Sequence, residues 1–164
     1  MQRRWIPPDE GLVKINVDAG VSVQHSAGTA AAICRDCDGS YLGSSVLVIQ
    51  GISDPASLEA FACREAPSLA QDLGLQHLQI ASDCKHVVNH IRQGVGGSYG
   101  SVIMEILETV RNFTSYNFVF EPRASNTEAH RLARSGTSLP YGRHIWLDTS
   151  SDPIAFPVNI GIDQ

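Results

Sequence analysis

The chain has 164 residues, 43% of them hydrophobic, which is ordinary for a globular protein and suits one domain with a sizeable core. Seventeen acidic residues against twelve basic ones give a net charge of −5, the wrong sign for a protein that holds nucleic acid by bulk electrostatics. Because of this charge we expect nucleic-acid binding to be weak and salt-sensitive, although bound cations and local basic patches could still hold phosphates.

The start of the chain, MQRRWIPPDE, is polar and contains proline, which is not the pattern of a secretory signal. We interpret residues 1–10 as a linker or domain edge, with the domain part of a longer protein; a natural short start is the alternative. No stretch is apolar enough to cross a bilayer, so no membrane partner is expected. A protein with four cysteines and no signal is expected in a reducing compartment, intracellular, nuclear or cytoplasmic, and not secreted.

Cys34 and Cys37 form a CxxC pair, which invites a zinc or redox interpretation. No second pair follows at a zinc-like spacing, and Asp38-Gly39 directly afterwards is a strong hairpin signal. We therefore favour a hairpin turn here over structural zinc.

Strands open the predicted domain. Val13, Ile15 and Val17 alternate along residues 12–18 and predict a first strand. Apolar runs at residues 27–35 and 40–50 flank the Asp38-Gly39 turn, so three antiparallel strands come first.

A long helix is predicted over residues 55–73, where apolar side chains recur at helical spacing and Gly74 follows as the C-cap. Pro67 lies inside it and predicts a kink or break near Cys63. Shorter patterns predict strands at residues 77–81 and 117–121, helices at residues 84–92 and 103–110, a flexible joint at residues 94–100, and a last helix after a capping Asn126.

This order predicts an α/β domain with a mixed five-stranded sheet, three antiparallel strands first, and helices on both faces. We assign residues 11–146 to this domain. Residues 147–164 are predicted to be a tail that packs on the domain, because Phe156, Val158 and Ile160 are apolar.

Three acidic residues stand where separate elements could deliver carboxylates to one point. Asp18 ends the first strand, Glu59 lies one turn into the long helix, and Asp83 follows the fourth strand. Carboxylates gathered in this way hold paired hard cations, and such cations cut phosphodiesters. The plainer alternatives are a turn residue for Asp18, a solvated helix face for Glu59 and an N-cap for Asp83.

The segments VKINVDAG, AGTAAAICRDCDGSYLGSS, LEAFACREAPSLAQDLGLQHLQIASD and EPRASNTEAHRLARSG, in this order and spacing, resemble the ribonuclease H-like domain. More narrowly, they resemble the plant version found in retrotransposon-derived, reverse-transcriptase-associated proteins. The resemblance covers residues 5–146 and implies fold more firmly than activity.

The resemblance implies a two-metal site for Mg²⁺ or Mn²⁺. Asp18 would bridge both ions, and Glu59 and Asp83 would each hold one side. The fourth ligand of the pattern is an Asp one turn past the Asn of the last helix, where this sequence has His130. His130 is assigned here as a fourth catalytic and metal residue that favours Mn²⁺, because imidazole suits softer metals; a proton relay or simple space-filling are the alternatives.

Nucleic-acid contacts are assigned to Ala19 and Lys85, which stand near Asp18 and Asp83 in the sequence, and to Arg123 and Asn126, which stand near the start of the last helix. Arg131 and Arg134 on the last helix could also contact phosphates or could be ordinary surface charge.

The function implied is metal-dependent endonucleolytic hydrolysis of RNA in RNA–DNA hybrids, with the hybrid selected by groove shape and 2′-hydroxyl contacts. The alternative is a domesticated, weakly active or inactive module that binds nucleic acid or a protein. His130, Pro67 and the low basicity favour the alternative, and the intact trio of acids opposes it.

Overall fold

The computed structural model describes residues 4–147. These residues form six strands and four α-helices. In chain order they are β1 (Val13–Ser22), β2 (Ala27–Arg35), β3 (Tyr41–Gln50), α1 (Pro55–Leu73), β4 (His77–Ser82), α2 (Lys85–Gln93), α3 (Gly100–Val110), β5 (Ser115–Phe120), α4 (Thr127–Gly136) and β6 (Gly142–Trp146). Single 3₁₀ turns lie at Gly97–Tyr99, within the predicted flexible joint, and at Arg123–Ser125.

The strands form one mixed sheet in the order β5-β4-β1-β2-β3-β6. β1, β2, β3 and β6 pair antiparallel, whereas β4 is parallel to both β1 and β5. The predicted meander of three strands is confirmed, but the predicted count of five strands is wrong. β6 is short and mostly exposed, so its sequence lacks the alternation of apolar and polar residues that would predict a strand. It forms a strand because it pairs with β3 and because Trp146 is buried.

Helices cover both faces of the sheet, as predicted. Along β2, Ala30 and Ala32 face a core shared with α1, α2 and α3, while Ala31 and Ile33 face a second core shared with α4. Every residue of β2 is buried, and most are small. Small side chains at the centre of a sheet let helices approach closely on both sides.

The hairpin between β2 and β3 has the predicted turn. The Asp36 side chain accepts hydrogen bonds from the backbone amides of Asp38 and Ser40, and Gly39 has a φ of +87°. Burial raises the pKa of the Cys34 thiol to about 12, so this thiol is neutral at physiological pH and is a poor redox nucleophile.

The long helix α1 begins at Pro55, where the Asp54 side chain caps the Ser57 amide, and it ends at Gly74 in the left-handed conformation. Of the predicted kink or break near Cys63, the break is wrong, because α1 continues through Pro67 as one helix, and the kink stays a prediction. Pro67 is buried against the core side of the helix. The free energy gained by burying the face of α1 that contains Pro67 outweighs the loss of the one backbone hydrogen bond that proline cannot donate.

Outside the regular elements, residues 4–10 lie against the sheet. The indole Nε1 of Trp5 donates to Asn16 Oδ1 at 3.1 Å, and the Ile6 carbonyl accepts from Lys14 Nζ at 2.8 Å. The predicted packing of the tail falls on residues 148–164, outside the described residues. Within residues 4–147, no helix is both long and apolar enough to span a membrane.

Candidate active site

Three carboxylates converge at the end of the sheet where β4 terminates. One oxygen each from Asp18, Glu59 and Asp83 lies within 4.8 Å of the other two. Asp18 is on the central strand β1, and Asp83 directly follows β4, which runs parallel to β1. The parallel register of β1 and β4 pairs Val17 with Ser82, so the next residues, Asp18 and Asp83, arrive together.

Glu59 reaches the other two carboxylates because α1 packs closely on β2. A Cβ placed on Gly28 would lie 2.7 Å from Leu58 Cδ2 and 2.6 Å from the Ile52 carbonyl oxygen. Only glycine therefore lets the first turn of α1 approach the sheet this closely. The hydroxyl of Ser82, the last residue of β4, then donates a 2.9 Å hydrogen bond to Glu59 Oε1.

The three acids are held in a costly electrostatic arrangement. Burial, and then the nearby charge of Asp18, raise the pKa of Glu59 well above its usual range, although the hydrogen bond from Ser82 opposes the shift. The pKa of Asp83 is also raised, by burial first and Asp18 next, while Arg123 and His130 act to lower it. Without a cation, the carboxyl groups of Glu59 and Asp83 therefore retain protons above the usual pH range.

The donor set fits a hard divalent cation. Asp83 Oδ2 is buried and has no hydrogen-bond partner among residues 4–147. The nearest positive group, Arg123 Nε, is 3.7 Å away, too far for a hydrogen bond. Carboxylate oxygens are the ligands that Mg²⁺ and Mn²⁺ prefer, and a cation here would satisfy the free oxygen and relieve the repulsion.

His130 lies beside this group but not in it. Its Nδ1 is 2.9 Å from Asp18 Oδ2, and its side chain is 30% exposed. The close approach of α4 to β1 sets this distance, because a Cβ on Gly20 would lie 2.9 Å from the Ala133 carbonyl oxygen. The imidazole is thus placed to exchange a proton with Asp18 or to bind a cation through its other nitrogen.

Asn126 lies beneath the site. It is at the N-cap position of α4, as predicted, but its side chain makes no capping hydrogen bond. Its Nδ2 instead donates to the Val17 carbonyl at 2.9 Å, and its Oδ1 accepts from Asn16 Nδ2 at 3.1 Å. At 1% exposure, Asn126 fixes the start of α4 against β1.

A buried ion pair under the site escaped the sequence analysis. Lys14 is fully buried and forms an ion pair with Glu121, which also accepts a 3.4 Å hydrogen bond from Asn16 Nδ2. The sequence does contain a sign of this ion pair, because Lys14, Asn16 and Asp18 are polar residues at alternate positions of a central strand. Such a pattern on one face of a buried strand indicates a polar network.

The other predicted contact residues surround the acids. Lys85 and Arg123 are exposed on the side of Asp83, and Ala19 lines a cavity of about 280 Å³ on the side of Asp18. Phe120, which the sequence analysis did not single out, is 43% exposed with Lys85 Nζ 5.8 Å from its ring centroid. Basic side chains therefore lie beside the acids although the net charge is negative.

The comparisons with known proteins agree with this geometry. The profile of the family described as reverse transcriptase-like matches residues 16–136. No curated protein sequence is significantly similar to the chain.

Several solved structures share the fold. Ribonuclease H1 from the halophilic archaeon Halobacterium salinarum has a TM-score of 0.69 at 17% identity, over 77% of this chain and 97% of that one. The N-terminal ribonuclease H domain of Rv2228c from Mycobacterium tuberculosis has a TM-score of 0.68 at 23% identity, over 77% and 96%. LC11-RNase H1, isolated from compost, was solved with an RNA/DNA hybrid and has a TM-score of 0.64 at 18% identity, over 73% and 92%. At these identities the likeness shows the fold.

The resemblance to ribonuclease H-like domains is confirmed, whereas the plant retrotransposon origin stays a prediction. With carboxylates from β1, α1 and the end of β4 brought to one point and a sequence profile that covers most of the chain, the protein belongs to the reverse transcriptase-like family and has the ribonuclease H-like fold.

Proposed function

We propose that this domain hydrolyses the RNA strand of RNA–DNA hybrids with divalent cations held by Asp18, Glu59 and Asp83. The observation that carries the proposal is the convergence of the three carboxylate oxygens within 4.8 Å, with one oxygen of Asp83 left without a partner. A protein gains nothing in stability from three repelling acids of which two, Asp18 and Glu59, are buried, so the arrangement favours a bound cation.

The bound cations would supply a Lewis acid that activates water and offsets negative charge on the phosphate. Asp18, whose charge acts on both other acids, is proposed as the ligand that Glu59 and Asp83 each complement. Ser82 orients Glu59 through its hydroxyl. His130 is proposed to exchange a proton with Asp18 Oδ2 or to bind the second cation.

The substrate class rests on the fold and on the groups around the acids. LC11-RNase H1, of similar fold, was solved with an RNA/DNA hybrid. In this chain Lys85 and Arg123 are exposed beside Asp83 and are proposed to contact phosphates. The exposed ring of Phe120 offers a surface on which a base or sugar could pack.

We further propose that Mn²⁺ supports activity better than Mg²⁺, because imidazole stands where an all-oxygen site would have a carboxylate. The motif order that includes His130 also supports a retrotransposon-derived plant origin. The domain is proposed to act inside the cell, as part of a longer protein.

A second candidate function is an inactive binding module. The observation that favours it is the hydrogen bond between His130 Nδ1 and Asp18 Oδ2, which would compete with a cation for Asp18. A bound hybrid that is never cut would fit this function.

The test is cleavage of a labelled RNA–DNA hybrid in Mg²⁺ and, separately, in Mn²⁺. We expect wild-type cleavage in Mn²⁺ and a loss of more than about a hundredfold in Asp83→Asn, because changes beyond the ligands of a metal site already cost 10–100-fold. Asp38→Asn, an exposed residue in the β2–β3 turn, is the matched control and should keep full activity. Wild-type protein that binds hybrid without cutting it in either metal would establish the binding module instead.

A further inference from the structure

A cleft lies between α4 and the end of β1, beginning at Ala19, the residue after Asp18. Its volume is about 280 Å³. The walls are formed by Ala19, Gly20, Val21 and Ser22 from β1 and by His130, Arg134 and Thr137 from α4 and the residue after it.

The cleft is continuous with the carboxylate site. His130 lines it and also forms the 2.9 Å contact to Asp18. A group in the cleft would therefore be a neighbour of a group bound at the carboxylates. A nucleic-acid strand has a phosphate at every nucleotide, so a strand with one phosphate at the carboxylates has another within reach of the cleft.

Arg134 gives the cleft an unpaired positive charge. It lies one turn after His130, so both side chains project from the same face of α4. Across residues 4–147, the Arg134 guanidinium makes no hydrogen bond or ion pair. By contrast, Arg64 and Arg143 pair with acidic side chains and Arg92 donates to the Phe118 carbonyl, as expected in a chain of net charge −5.

A second donor faces the same space. Ser22 Oγ accepts a 3.1 Å hydrogen bond from the His25 amide, which leaves its hydroxyl proton free to donate. Arginine binds phosphate oxygens in a bidentate manner, and a neighbouring hydroxyl completes such a site. Among residues 4–147, no acidic side chain lines the cleft.

We propose that this cleft binds a backbone phosphate of the nucleic acid next to the one at the carboxylates, with Arg134 as the principal donor and Ser22 as a second. The proposal rests on the proposed function, since it assumes that a nucleic-acid strand crosses Asp18. It assigns Arg134 to substrate positioning and not to metal binding.

The test measures binding of a fluorescent RNA–DNA hybrid by anisotropy in Ca²⁺, with a gel to verify that the hybrid stays intact. Arg134→Gln should weaken binding about tenfold at low salt and reduce the slope of log affinity against log salt by about one. Arg131→Gln removes the same charge from an exposed position of α4 that does not line the cleft, and should have a clearly smaller effect.

A scan with single methylphosphonate substitutions locates the contact. In wild-type protein, neutralising one particular phosphate should weaken binding about as much as Arg134→Gln, and in Arg134→Gln the same substitution should cost nothing more. Calorimetric Mn²⁺ affinity should be equal in wild type and variant, which separates phosphate binding from metal binding.

Equal effects of Arg134→Gln and Arg131→Gln, or an unchanged methylphosphonate profile in Arg134→Gln, would overturn this proposal and leave the nuclease function standing. A wild-type protein that binds hybrid but does not cut it would overturn the nuclease function, while the phosphate scan would still locate or exclude the Arg134 contact. Absence of wild-type binding to hybrid overturns the Arg134 proposal.

Discussion

His130 Nδ1 and Asp18 Oδ2 are 2.9 Å apart, so the imidazole of α4 occupies an oxygen of the central carboxylate. A cation that uses the same oxygen must displace the imidazole or bind with it. Under the proposed nuclease function, the balance between these two outcomes would set which of Mg²⁺ and Mn²⁺ supports cleavage.

Replacement of this histidine by the acid of the family pattern tests that balance. His130→Asp should raise Mg²⁺-dependent cleavage about tenfold or more and reduce the preference for Mn²⁺, because it makes the site all-oxygen. The measurement is single-turnover cleavage of hybrid in each metal. His130→Asn, similar in size but uncharged, should show no such gain. If His130→Asp and wild type are both inert in both metals, the defect is not at this ligand.

The raised pKa of Glu59 predicts that the metal-free protein loses stability as pH rises. In the unfolded chain this carboxyl ionises near its ordinary pKa of 4.5, whereas in the folded protein burial and Asp18 hold the proton to higher pH. The unfolded state therefore binds fewer protons over that window, and the free energy of unfolding falls by about 1.4 kcal/mol per unit of raised pKa. Asp83 acts in the same direction.

Glu59→Gln should remove much of this loss. In EDTA, thermal denaturation between about pH 5 and pH 8 should show a flatter profile for Glu59→Gln than for wild type, with the variant the more stable near pH 8. Mn²⁺ should stabilise wild type but not the variant. Glu108→Gln, an exposed change on α3, should reproduce the wild-type profile. A wild-type melting temperature that rises with pH in EDTA would contradict the argument.

The convergence of the three carboxylates could be predicted from the sequence because local patterns placed each of them. Alternation set β1, helical spacing set α1, and the order of the elements brought Asp18, Glu59 and Asp83 to one edge. Interactions between distant segments were harder to predict. β6 exists because β3 pairs with it, and α1 passes through Pro67 because of what that helix buries.

The same limit applies beneath the site. Asn126 was assigned to nucleic acid from its position in the motif, yet its amide lies 1% exposed against Val17 and Asn16. Only the packing of α4 on β1 reveals which polar side chains point inward. The sequence shows that such residues are polar, but it does not show which groups they form hydrogen bonds with.

Gly20 is predicted to be the residue that holds α4 against β1. In Gly20→Ala the new Cβ would lie 2.7 Å from Thr29 Oγ1 and 2.9 Å from the Ala133 carbonyl, and the backbone contact cannot yield without moving α4. We expect a loss of about 1–3 kcal/mol in unfolding free energy, typical of overpacking, together with reduced cleavage as His130 leaves Asp18. Urea denaturation and single-turnover cleavage measure the two effects.

Gly100→Ala is the matched control for that change. Gly100 has helical dihedrals at the start of α3, and a Cβ there meets nothing within 4 Å. It should be neutral or stabilising by up to about 1 kcal/mol, because alanine is the better helix former. If both glycine changes behave alike, the close contact at Gly20 is not what fixes α4.

The buried pair of Lys14 and Glu121 should be far more sensitive than ion pairs on the surface. Lys14→Met leaves the Glu121 carboxylate buried with only the weak hydrogen bond from Asn16, so we expect a loss of about 3–5 kcal/mol. Lys14→Met with Glu121→Gln should recover part of this loss, because the second change removes the uncompensated charge. Arg64→Gln, which breaks a pair whose acid Glu105 is 57% exposed, should cost less than about 1 kcal/mol.

Urea denaturation of the two single variants and the double variant measures the coupling between Lys14 and Glu121 as a cycle. The same variants connect the pair to the active site, because Asn16 contacts both Glu121 and Asn126. Lys14→Met should therefore weaken Mn²⁺ binding as well, through displacement of α4 and β1 relative to each other. Additive losses in the cycle, with unchanged Mn²⁺ affinity, would show that the network stabilises the fold without positioning the carboxylates.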